Sequence, residues 1–306
     1  MDGAGHDLRG PVPGARPLFH RRAVRQLSCV GRGGLPFLAQ GSAGVNPARL
    51  PSEIPELGRL RYIRRLSGGG GWNETWLAAR GEERLVVRFD TPAVRSLGLN
   101  RAGEEAVLRS IQRIRLGPEL IFSDVGRGVL VTRRLPGRAC TPGDLRNPRL
   151  LRNLGAIFRR LHETVLPPPN VAPLDLARSV DRYASLVGGV RARRAARAAC
   201  RSLKAAAGHR RKPSLCHNDL VTQNILRGPA LRLIDWEFAS PGDPLFDLAV
   251  VVGHHDLDTG QGRALLGAAR GRVHPSDWRG LTHLVDGYGN VRLLWEAAVR
   301  SVAQID

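Results

Sequence analysis

A group of carboxylate and amide side chains lies within residues 215–238, among apolar residues whose pattern predicts a core position. Asp219 and Asn224 come first, and Asp235 and Glu237 follow in the short run LRLIDWEF. An unpaired carboxylate is costly to bury, because it loses its hydration without gaining a partner. We therefore expect these side chains to pair with one another or with a bound metal ion.

The spacing of these residues is typical of a phosphoryl-transfer site. Asn224 lies five residues after Asp219, and Asp235 ends a short β run eleven residues later. Protein kinases place a catalytic Asp, an Asn and a second Asp in the same order. A loop of this length turns Asp219 and Asn224 toward one cleft, and the hairpin strand brings Asp235 beside them. Because Mg²⁺ binds through carboxylates and phosphates, we predict Asn224 and Asp235 as its ligands and Asp219 as the acceptor of a hydroxyl proton.

The net charge of +20 comes almost entirely from arginine. Of the 47 basic residues only Lys204 and Lys212 are lysine, which indicates coding bias more than a binding surface. The densest basic run, residues 191–212, holds nine basic residues and no acidic one. We interpret it as a solvated helix face and loop, with a patch for an acidic ligand as the alternative. We expect no nucleic-acid partner, whose binding would depend steeply on salt.

Cysteine usage and hydropathy indicate a cytoplasmic protein. The four cysteines are far apart and form no C-x-x-C pair, which is typical of reduced thiols rather than of disulfides or a zinc site. No apolar run approaches the ~18–20 residues of a membrane span, and the first residues lack the apolar core of a secretory signal. We therefore expect cytoplasmic localisation and no membrane partner.

The hydrophobic pattern divides the chain into three parts. Residues 1–50 are rich in Gly, Pro and Arg without a sustained period, which predicts a disordered basic tail. Residues 51–136 alternate as short strands around one helix and form an N-lobe that would bind nucleotide. Residues 137–306 are mostly helical and form a C-lobe with the catalytic loop and the acceptor site. The fold class is thus α+β, with a small β-rich N-lobe and a larger, mostly helical C-lobe.

The motif-bearing segments resemble the choline/ethanolamine kinase branch of the aminoglycoside phosphotransferase family. The resemblance rests on CHNDLVTQNIL, on LRLIDWEFASPGDPLFDLA, on the glycine-rich LSGGGGWNETW and on GDLRNPRLLRNLGAIFRRLH, within about residues 57–300. It implies a bilobal, protein-kinase-like fold, ATP as the phosphate donor and a small-molecule hydroxyl as the acceptor.

The resemblance also implies roles for individual residues. It makes Asp219 the catalytic base and Asn224 and Asp235 the Mg²⁺ ligands, with Glu237 assisting a second ion. It further implies that His217 supports the catalytic loop by packing and hydrogen bonding. It also implies roles for two more carboxylates. Asp247 would brace the backbone of the catalytic loop, and Asp243 would help to shape the turn.

Phosphate binding is expected at the glycine run of the N-lobe. Gly69 and Gly70 lack a Cβ, so backbone there can approach phosphates closely. Asn73 belongs to the same glycine-rich opening in the resemblance. A flexible hairpin tip is the alternative for this run.

Arg88 stands where protein kinases carry the phosphate-binding lysine, and it resembles the choline kinase branch in this respect. A guanidinium grips phosphate with two hydrogen bonds and stays charged. Its expected partner is Glu104 or Glu105, and we favour Glu104 because it lies one helical turn before Leu108. An exposed glutamate is the alternative. Adenine should contact the hinge backbone near residues 132–135.

The acceptor site is expected to hold a cationic group against aromatic rings, as cation–π pairing requires. Trp236, Tyr288 and Trp295 are the candidates, with a core tryptophan as the alternative for Trp295. Arg300 is expected near this pocket, where it would repel choline. We expect His254 and its neighbour His255 to pack at a helix end rather than bind a metal.

These observations predict a kinase that transfers the γ-phosphate of ATP, with Mg²⁺, to a hydroxyl of an amino alcohol such as choline or ethanolamine. A thiamine- or aminoglycoside-type phosphotransferase is the alternative within the same class. A non-catalytic nucleotide-binding protein is the alternative outside it. The expected partner is a small-molecule hydroxyl acceptor, and the oligomeric state is left open.

Overall fold

The computed structural model describes residues 53–66, 73–91, 99–209 and 211–302. The tail predicted for residues 1–50 lies outside these described residues. All the described residues belong to one unit of the chain, which spans residues 40–306.

Seven short strands open the fold. They are β1 (Glu53–Ile54), β2 (Gly58–Arg59), β3 (Arg61–Arg65), β4 (Asn73–Arg80), β5 (Glu83–Asp90), β6 (Leu120–Asp124) and β7 (Val129–Arg133). β3 to β7 form an antiparallel sheet in the order β3-β4-β5-β7-β6. Leu85 and Val87 alternate along β5 and are both fully buried, as the period of two in a strand requires. They contribute to one apolar cluster with Val131 of β7.

Helix α1 (Arg101–Ile111) packs beside this sheet. The side chain of Asn100 caps its first turn by accepting a hydrogen bond from the backbone nitrogen of Gly103 at 2.9 Å. Val107, Leu108 and Ile111 recur at helical spacing and are buried. Because Glu104 lies one turn before Leu108, the same face carries its carboxylate inward.

The second lobe is mostly helical. Its helices are α2 (Pro142–Leu145), α3 (Pro148–Thr164), α4 (Leu176–Val187), α5 (Gly189–Ala207), α6 (Pro244–His254), α7 (Thr259–Arg270) and α8 (Pro275–Val302). Leu151, Leu154, Phe158 and Leu161 of α3 are completely buried, because residues three or four apart lie on one face of a helix. The predicted bilobal fold class is confirmed.

Short strands of the second lobe position the predicted catalytic loop. They are β8 (Arg138–Ala139), β9 (Ser214–Cys216), β10 (Ile225–Arg227), β11 (Leu231–Leu233) and β12 (Ser240–Gly242). β10 pairs with β11 and β8, and β9 pairs with β12. The loop between β9 and β10 contains Asp219, and Asp235 comes two residues after β11 ends. Since β8 pairs inside the second lobe, we propose that the chain crosses between lobes near residue 137.

The basic run forms a solvated helix face, as predicted. Arg193, Arg197 and Arg201 of α5 are exposed, whereas Ala192 and Ala196 are buried. Among the described residues, every helix is too short or too polar to cross a lipid bilayer. The described cysteines that carry free thiols are Cys140, Cys200 and Cys216.

Helices α3 and α7 approach each other closely at Gly155. A Cβ placed there would lie 2.5 Å from Cβ of Ala268 and 3.0 Å from the backbone nitrogen of Ala269. We expect Gly155→Ala to lower the free energy of unfolding by about 1–3 kcal/mol, because the two helices would have to separate. Denaturant unfolding of the purified protein measures this change.

Gly289→Ala in α8 is the matched control, since a Cβ there would meet nothing within 4 Å. It should stabilise the protein by up to about 1 kcal/mol through helix propensity. Equal effects of the two substitutions would contradict close packing of α3 on α7.

Candidate active site

Asp247, in the first turn of α6, braces the loop between β9 and β10 that contains Asp219. This carboxylate is completely buried and accepts hydrogen bonds from the backbone nitrogens of His217 at 3.0 Å and Asn218 at 2.7 Å. Burial raises the pKa of Asp247, but the hydrogen bond and charge of His162 outweigh it and hold the pKa below its usual value. The predicted bracing contact is thus present, and Asp243 caps α6 beside it, as also predicted.

His162, Cys216 and Asp247 are the one group of three potential metal donors, among the described residues, whose ligand atoms all lie within 4.8 Å. The ring of His162 and the Asp247 carboxylate are 2.9 Å apart and hydrogen bonded. Burial raises the pKa of the Cys216 thiol, so this sulfur stays protonated. These contacts explain the group as a brace under the loop.

His217 connects the loop to the strand that precedes Asp235. Its Nδ1 accepts a hydrogen bond from the backbone nitrogen of Asp219 at 3.4 Å, so Nε2 donates to the carbonyl oxygen of Ile234 at 3.0 Å. Its ring packs 4.5 Å from that of Trp236. Burial lowers the pKa of His217, so the imidazole is neutral. The structure thus gives His217 the supporting contacts predicted for it.

Asp219 and Asn224 contact each other directly. Asn224 Nδ2 donates to the Asp219 carboxylate and to its backbone oxygen, both at 2.9 Å. The amide nitrogen is therefore engaged by Asp219, which leaves the amide oxygen as the atom suited to a cation. Burial, and then the negative charge of Glu237, raise the pKa of Asp219 to about 7.

Asp235 lies close enough to the same groups to interact with them electrostatically. Burial raises its pKa well above the usual value, and the charge of Glu237 adds to this effect. Its backbone is left-handed, with φ of 65°, as is that of Asn218 at 68°. Such conformations are uncommon outside glycine and occur in loops that orient functional side chains.

A second set of charges, here called the charge cluster, comprises Arg88, Asp90, Arg101, Glu104 and Glu237. Arg88 donates two hydrogen bonds to Glu104, at 2.8 and 2.5 Å. Arg101 donates to Glu237 at 2.7 Å, to Asp90 at 3.0 Å and to Glu104 at 3.2 Å. All of these side chains are at most 15% exposed.

The pairing of Arg88 with Glu104 agrees with the sequence prediction. Glu105 instead pairs with Arg109 on the exposed side of α1 at 2.9 Å. Asn73 joins the charge cluster, since its Nδ2 donates to Glu237 at 3.1 Å and its Oδ1 accepts from Arg101 at 2.5 Å. Gly69 and Gly70 lie outside the described residues.

Arg101 is a central residue that the sequence analysis missed. It contacts residues from β4, β5, α1 and the segment after β11. The available signal was local, because Arg101 opens α1 directly after its cap, three residues before Glu104. Its contacts with Asn73, Asp90 and Glu237 join residues that are distant in the chain, so no local sequence pattern predicts them.

Among the residues that the structure describes in this cleft, carboxylates outnumber guanidinium groups. The acidic groups are Asp90, Glu104, Asp219, Asp235 and Glu237, and the basic groups are Arg88 and Arg101. Burial is the main cause of the raised pKa values of Asp219 and Asp235, and the negative charge of Glu237 adds to it. Oxygen donors with excess negative charge fit a divalent cation such as Mg²⁺.

A small cavity opens beside Asp219, here called the aromatic cavity, with a volume of about 90 Å³. Its lining consists of Leu174, Leu176, Ser179, Tyr183, Asn218, Asp219, Phe238, Phe246, Tyr288, Val291, Arg292 and Trp295. Trp295 meets Tyr183 and Phe238 edge to face, with ring centroids 5.2 and 5.4 Å apart. The structure therefore brings Trp295 and Tyr288, two of the three predicted acceptor aromatics, to the same cavity as Asp219.

Two expectations about this pocket are wrong. Trp236 is 0% exposed, and its Nε1 donates to the carbonyl oxygen of Leu233 at 3.1 Å, so it is a core residue that an acceptor cannot reach. Arg300 is exposed and does not line the cavity, whereas Arg292 does. The reason is helical geometry, since Arg292 lies three residues before Trp295 and shares its face, while Arg300 lies five residues after it.

The histidine pair packs at the end of α6, as predicted. His254 hydrogen bonds to the hydroxyl of Tyr288 at 3.1 Å, and His255 to the carbonyl oxygen of Leu220 at 3.2 Å. Burial lowers the pKa of each histidine to about 4. Both rings are thus neutral near pH 7 and support the loop and the cavity wall.

Comparison with known proteins agrees with this geometry. Residues 63–284 match the model of the phosphotransferase enzyme family. The protein LicA of Haemophilus influenzae is 50% identical over 38 residues, and this match spans 14% of LicA and 12% of the present chain.

Solved structures resemble the chain over most of its length. The Plasmodium vivax ethanolamine kinase covers 84% of this chain and 83% of its own, with a TM-score of 0.65 and 13% identity. A choline/ethanolamine kinase family protein from Mesorhizobium loti covers 82% and 81%, with a TM-score of 0.61 and 23% identity. The choline kinase LicA from Streptococcus pneumoniae covers 80% of this chain and 94% of its own, with a TM-score of 0.61 and 18% identity. The resemblance stated from the residues is confirmed, and at these identities the structures establish the fold.

We expect Arg101→Met to lower the free energy of unfolding by about 3–5 kcal/mol, because it leaves buried carboxylates without their partner. Denaturant unfolding measures the loss. Arg109→Met on the same helix is the control, since its pair with Glu105 is exposed and should be worth less than about 0.5 kcal/mol. If Arg101→Met is as mild as the control, the charge cluster does not hold the cleft together.

We expect Asp219→Asn to raise the melting temperature of the protein free of nucleotide and metal. The folded state raises the Asp219 pKa from 3.8 to about 7, so the stability that this group contributes is present below pH 3.8 and is lost as pH rises through 7. Asn keeps an acceptor oxygen for Asn224 and carries no charge. The difference between variant and wild type should therefore grow from pH 4 to pH 8.

Thermal unfolding at several pH values tests this expectation. Asp181→Asn, at an exposed position of α4, is the control and should show a small and constant difference. A difference for Asp219→Asn that is constant over this pH range would contradict the raised pKa.

Proposed function

The chain belongs to the phosphotransferase enzyme family, and from this premise we propose that it is a kinase that transfers the γ-phosphate of ATP to a hydroxyl of a small amino alcohol. One observation carries the proposal. The Asp219 carboxylate, oriented by Asn224, lines the aromatic cavity and also interacts electrostatically with Asp235 and with Glu237 of the charge cluster.

Asp219 is the proposed base. An acceptor hydroxyl in the aromatic cavity would donate its proton to the Asp219 carboxylate while its oxygen bonds to the γ-phosphorus. The bond between that phosphorus and the bridging oxygen breaks, and ADP leaves. Burial raises the pKa of Asp219 to about 7, and Mg²⁺ bound nearby would favour the ionised carboxylate, which is the form that accepts a proton.

Asn224 and Asp235 are the proposed Mg²⁺ ligands, with Glu237 assisting a second ion. Their oxygens and the excess of carboxylates in the cleft fit this assignment. When bound, Mg²⁺ supplies positive charge that stabilises the phosphate oxygens during transfer. Because Glu237 is already held by Arg101 and Asn73, its position is defined in the absence of an ion.

The nucleotide side is proposed to use Arg88 as a phosphate-binding residue. Glu104 pairs with its guanidinium, as a helix glutamate pairs with the phosphate-binding lysine in protein kinases. Asn73, Gly69 and Gly70 are proposed to complete the phosphate site. The hinge backbone near residues 132–135 is proposed to bind adenine.

The amino alcohol assignment rests on the aromatic cavity. Rings of Tyr183, Phe238, Tyr288 and Trp295 line it, and aromatic faces stabilise ammonium groups by cation–π attraction. A thiamine- or aminoglycoside-type acceptor is the alternative within the same class. The free thiols favour a reducing compartment, and we propose the cytoplasm.

A panel of small alcohols assayed with ATP and Mg²⁺ tests the proposal. Asp219→Asn should lower kcat by about 10²–10⁴-fold, because the hydroxyl loses its base. Asp235→Asn should lower kcat strongly and also raise the Mg²⁺ concentration needed for half-maximal rate. ADP release gives both quantities.

Asp181→Asn, at an exposed position of α4 that lines neither cavity, is the control and should keep the wild-type rate. Near-normal turnover by either site variant would refute the assigned roles. ATP binding without turnover of any acceptor would instead support the non-catalytic alternative, against which the presence of Asp219, Asn224 and Asp235 argues.

A further inference from the structure

The aromatic cavity contains a basic residue that the amino alcohol assignment does not use. Arg292 of α8 lines the cavity together with Asp219. It lies four residues after Tyr288 and three before Trp295, so the three side chains share one face of the helix. A guanidinium therefore lies in the same small space as the proposed base and the aromatic rings.

The hydrogen-bonding capacity of Arg292 is largely unfilled. Its ion-pair partner is Glu296, one turn further along α8, at 3.6 Å from Nε. Within the described part of the chain, this Nε is buried and donates no hydrogen bond, although a guanidinium has five N–H donors. The side chain remains 33% exposed. Arg292 can therefore accept an additional anionic partner from the cavity.

The neighbouring surface is also basic. A second cavity of about 220 Å³ adjoins the aromatic cavity and shares Tyr183 and Phe238 with it. Arg178 and Arg182 of α4 line this second cavity and are exposed.

The carboxylates that line the second cavity already have partners. Asp175 caps α4 by accepting a hydrogen bond from the backbone nitrogen of Arg178 at 2.9 Å. Glu237 is held by Arg101 and Asn73 in the charge cluster. Apart from Asp219, the proposed base, the carboxylates named for these two cavities are therefore engaged, whereas Arg292 has donors left for an anionic ligand.

We propose that the acceptor carries an anionic group, a carboxylate or a phosphate, beside its hydroxyl, and that Arg292 binds this group and so determines specificity. The inference rests on the proposed transfer of phosphate to a small-molecule hydroxyl, and it specifies the group that the acceptor carries beside that hydroxyl. In a hydroxy amino acid, the hydroxyl would meet Asp219, the ammonium the aromatic rings, and the carboxylate Arg292. Choline has only a cationic group to offer, which Arg292 would repel.

Matched acceptor pairs test this inference. Ethanolamine and L-serine differ by a carboxylate, and glycerol and glycerol 3-phosphate differ by a phosphate. We expect the anionic member of at least one pair to show the higher kcat/KM, and the pair in which this occurs identifies the anion. Arg292→Met should raise KM for that acceptor by about 10- to 100-fold, because a charge-assisted hydrogen bond is lost. KM for its neutral or cationic counterpart should change little.

Two further variants separate recognition from structural damage. Arg292→Lys keeps the positive charge and should restore part of the affinity. Arg279→Met, at an exposed position of the same helix, should leave both KM values unchanged. Preference of the wild type for ethanolamine, choline and glycerol, or an Arg292→Met enzyme with unaltered KM for the anionic acceptor, overturns the inference.

Calorimetric titration separates this inference from the proposed function. Acceptors are added to protein that contains Mg²⁺ and a non-hydrolysable ATP analogue, so binding is measured without turnover. The inference is supported if L-serine or glycerol 3-phosphate binds the wild type and Arg292→Met abolishes this binding. If, in addition, no acceptor is phosphorylated, the kinase assignment is refuted while the inference stands. Absence of binding by both anionic compounds overturns the inference.

Discussion

The ion pair between Arg101 and Glu237 is the contact on which the cleft depends. Arg101 opens the helix of the first lobe, Glu237 follows β11 in the second, and their 2.7 Å hydrogen bond crosses between them. Both side chains are at most 8% exposed, so the pair is stable only where its geometry is good and the remaining hydrogen bonds are filled. Asn73 and Asp90 supply those hydrogen bonds. The lobes are thus joined by charges whose separation would be costly.

This contact also sets the electrostatics of the site. Because Arg101 holds Glu237 in place, a fixed negative charge lies near Asp219 and Asp235 and raises the pKa of each carboxyl beyond the effect of burial. The loop that contains Asp219 is braced by Asp247, which accepts hydrogen bonds from the backbone nitrogens of His217 and Asn218. Buried hydrogen bonds of this kind offset the left-handed backbone at Asn218 and Asp235.

The fold of the phosphotransferase family supports several acceptors, so the site residues rather than the fold select the substrate. The chain shares its architecture with choline and ethanolamine kinases at identities of 13–23%. Its aromatic cavity is consistent with such substrates, but Arg292 adds a positive charge to the wall. As proposed above, this guanidinium would favour an acceptor that carries an anionic group.

Local features of the site could be read from the sequence. The spacing of Asp219, Asn224 and Asp235 is short enough for one loop and one hairpin to bring them to the same cleft. Helical periodicity was sufficient to choose Glu104 over Glu105 as the partner of Arg88, because only one of the two lies on the apolar face of α1. The basic run was likewise predicted to form a solvated helix face, and Arg193, Arg197 and Arg201 of α5 are exposed.

The tertiary structure decided what depends on contacts between residues far apart in the chain. Trp236 lies in the core and Arg101 at the centre of the charge cluster. The residues adjacent to them in the sequence predict neither position. Arg292 rather than Arg300 enters the aromatic cavity, because the rotation of α8 against α4 and α6 selects the face that it presents. Helical periodicity predicts which residues share a face of a helix, but only the packing of the helices determines which residues that face contacts.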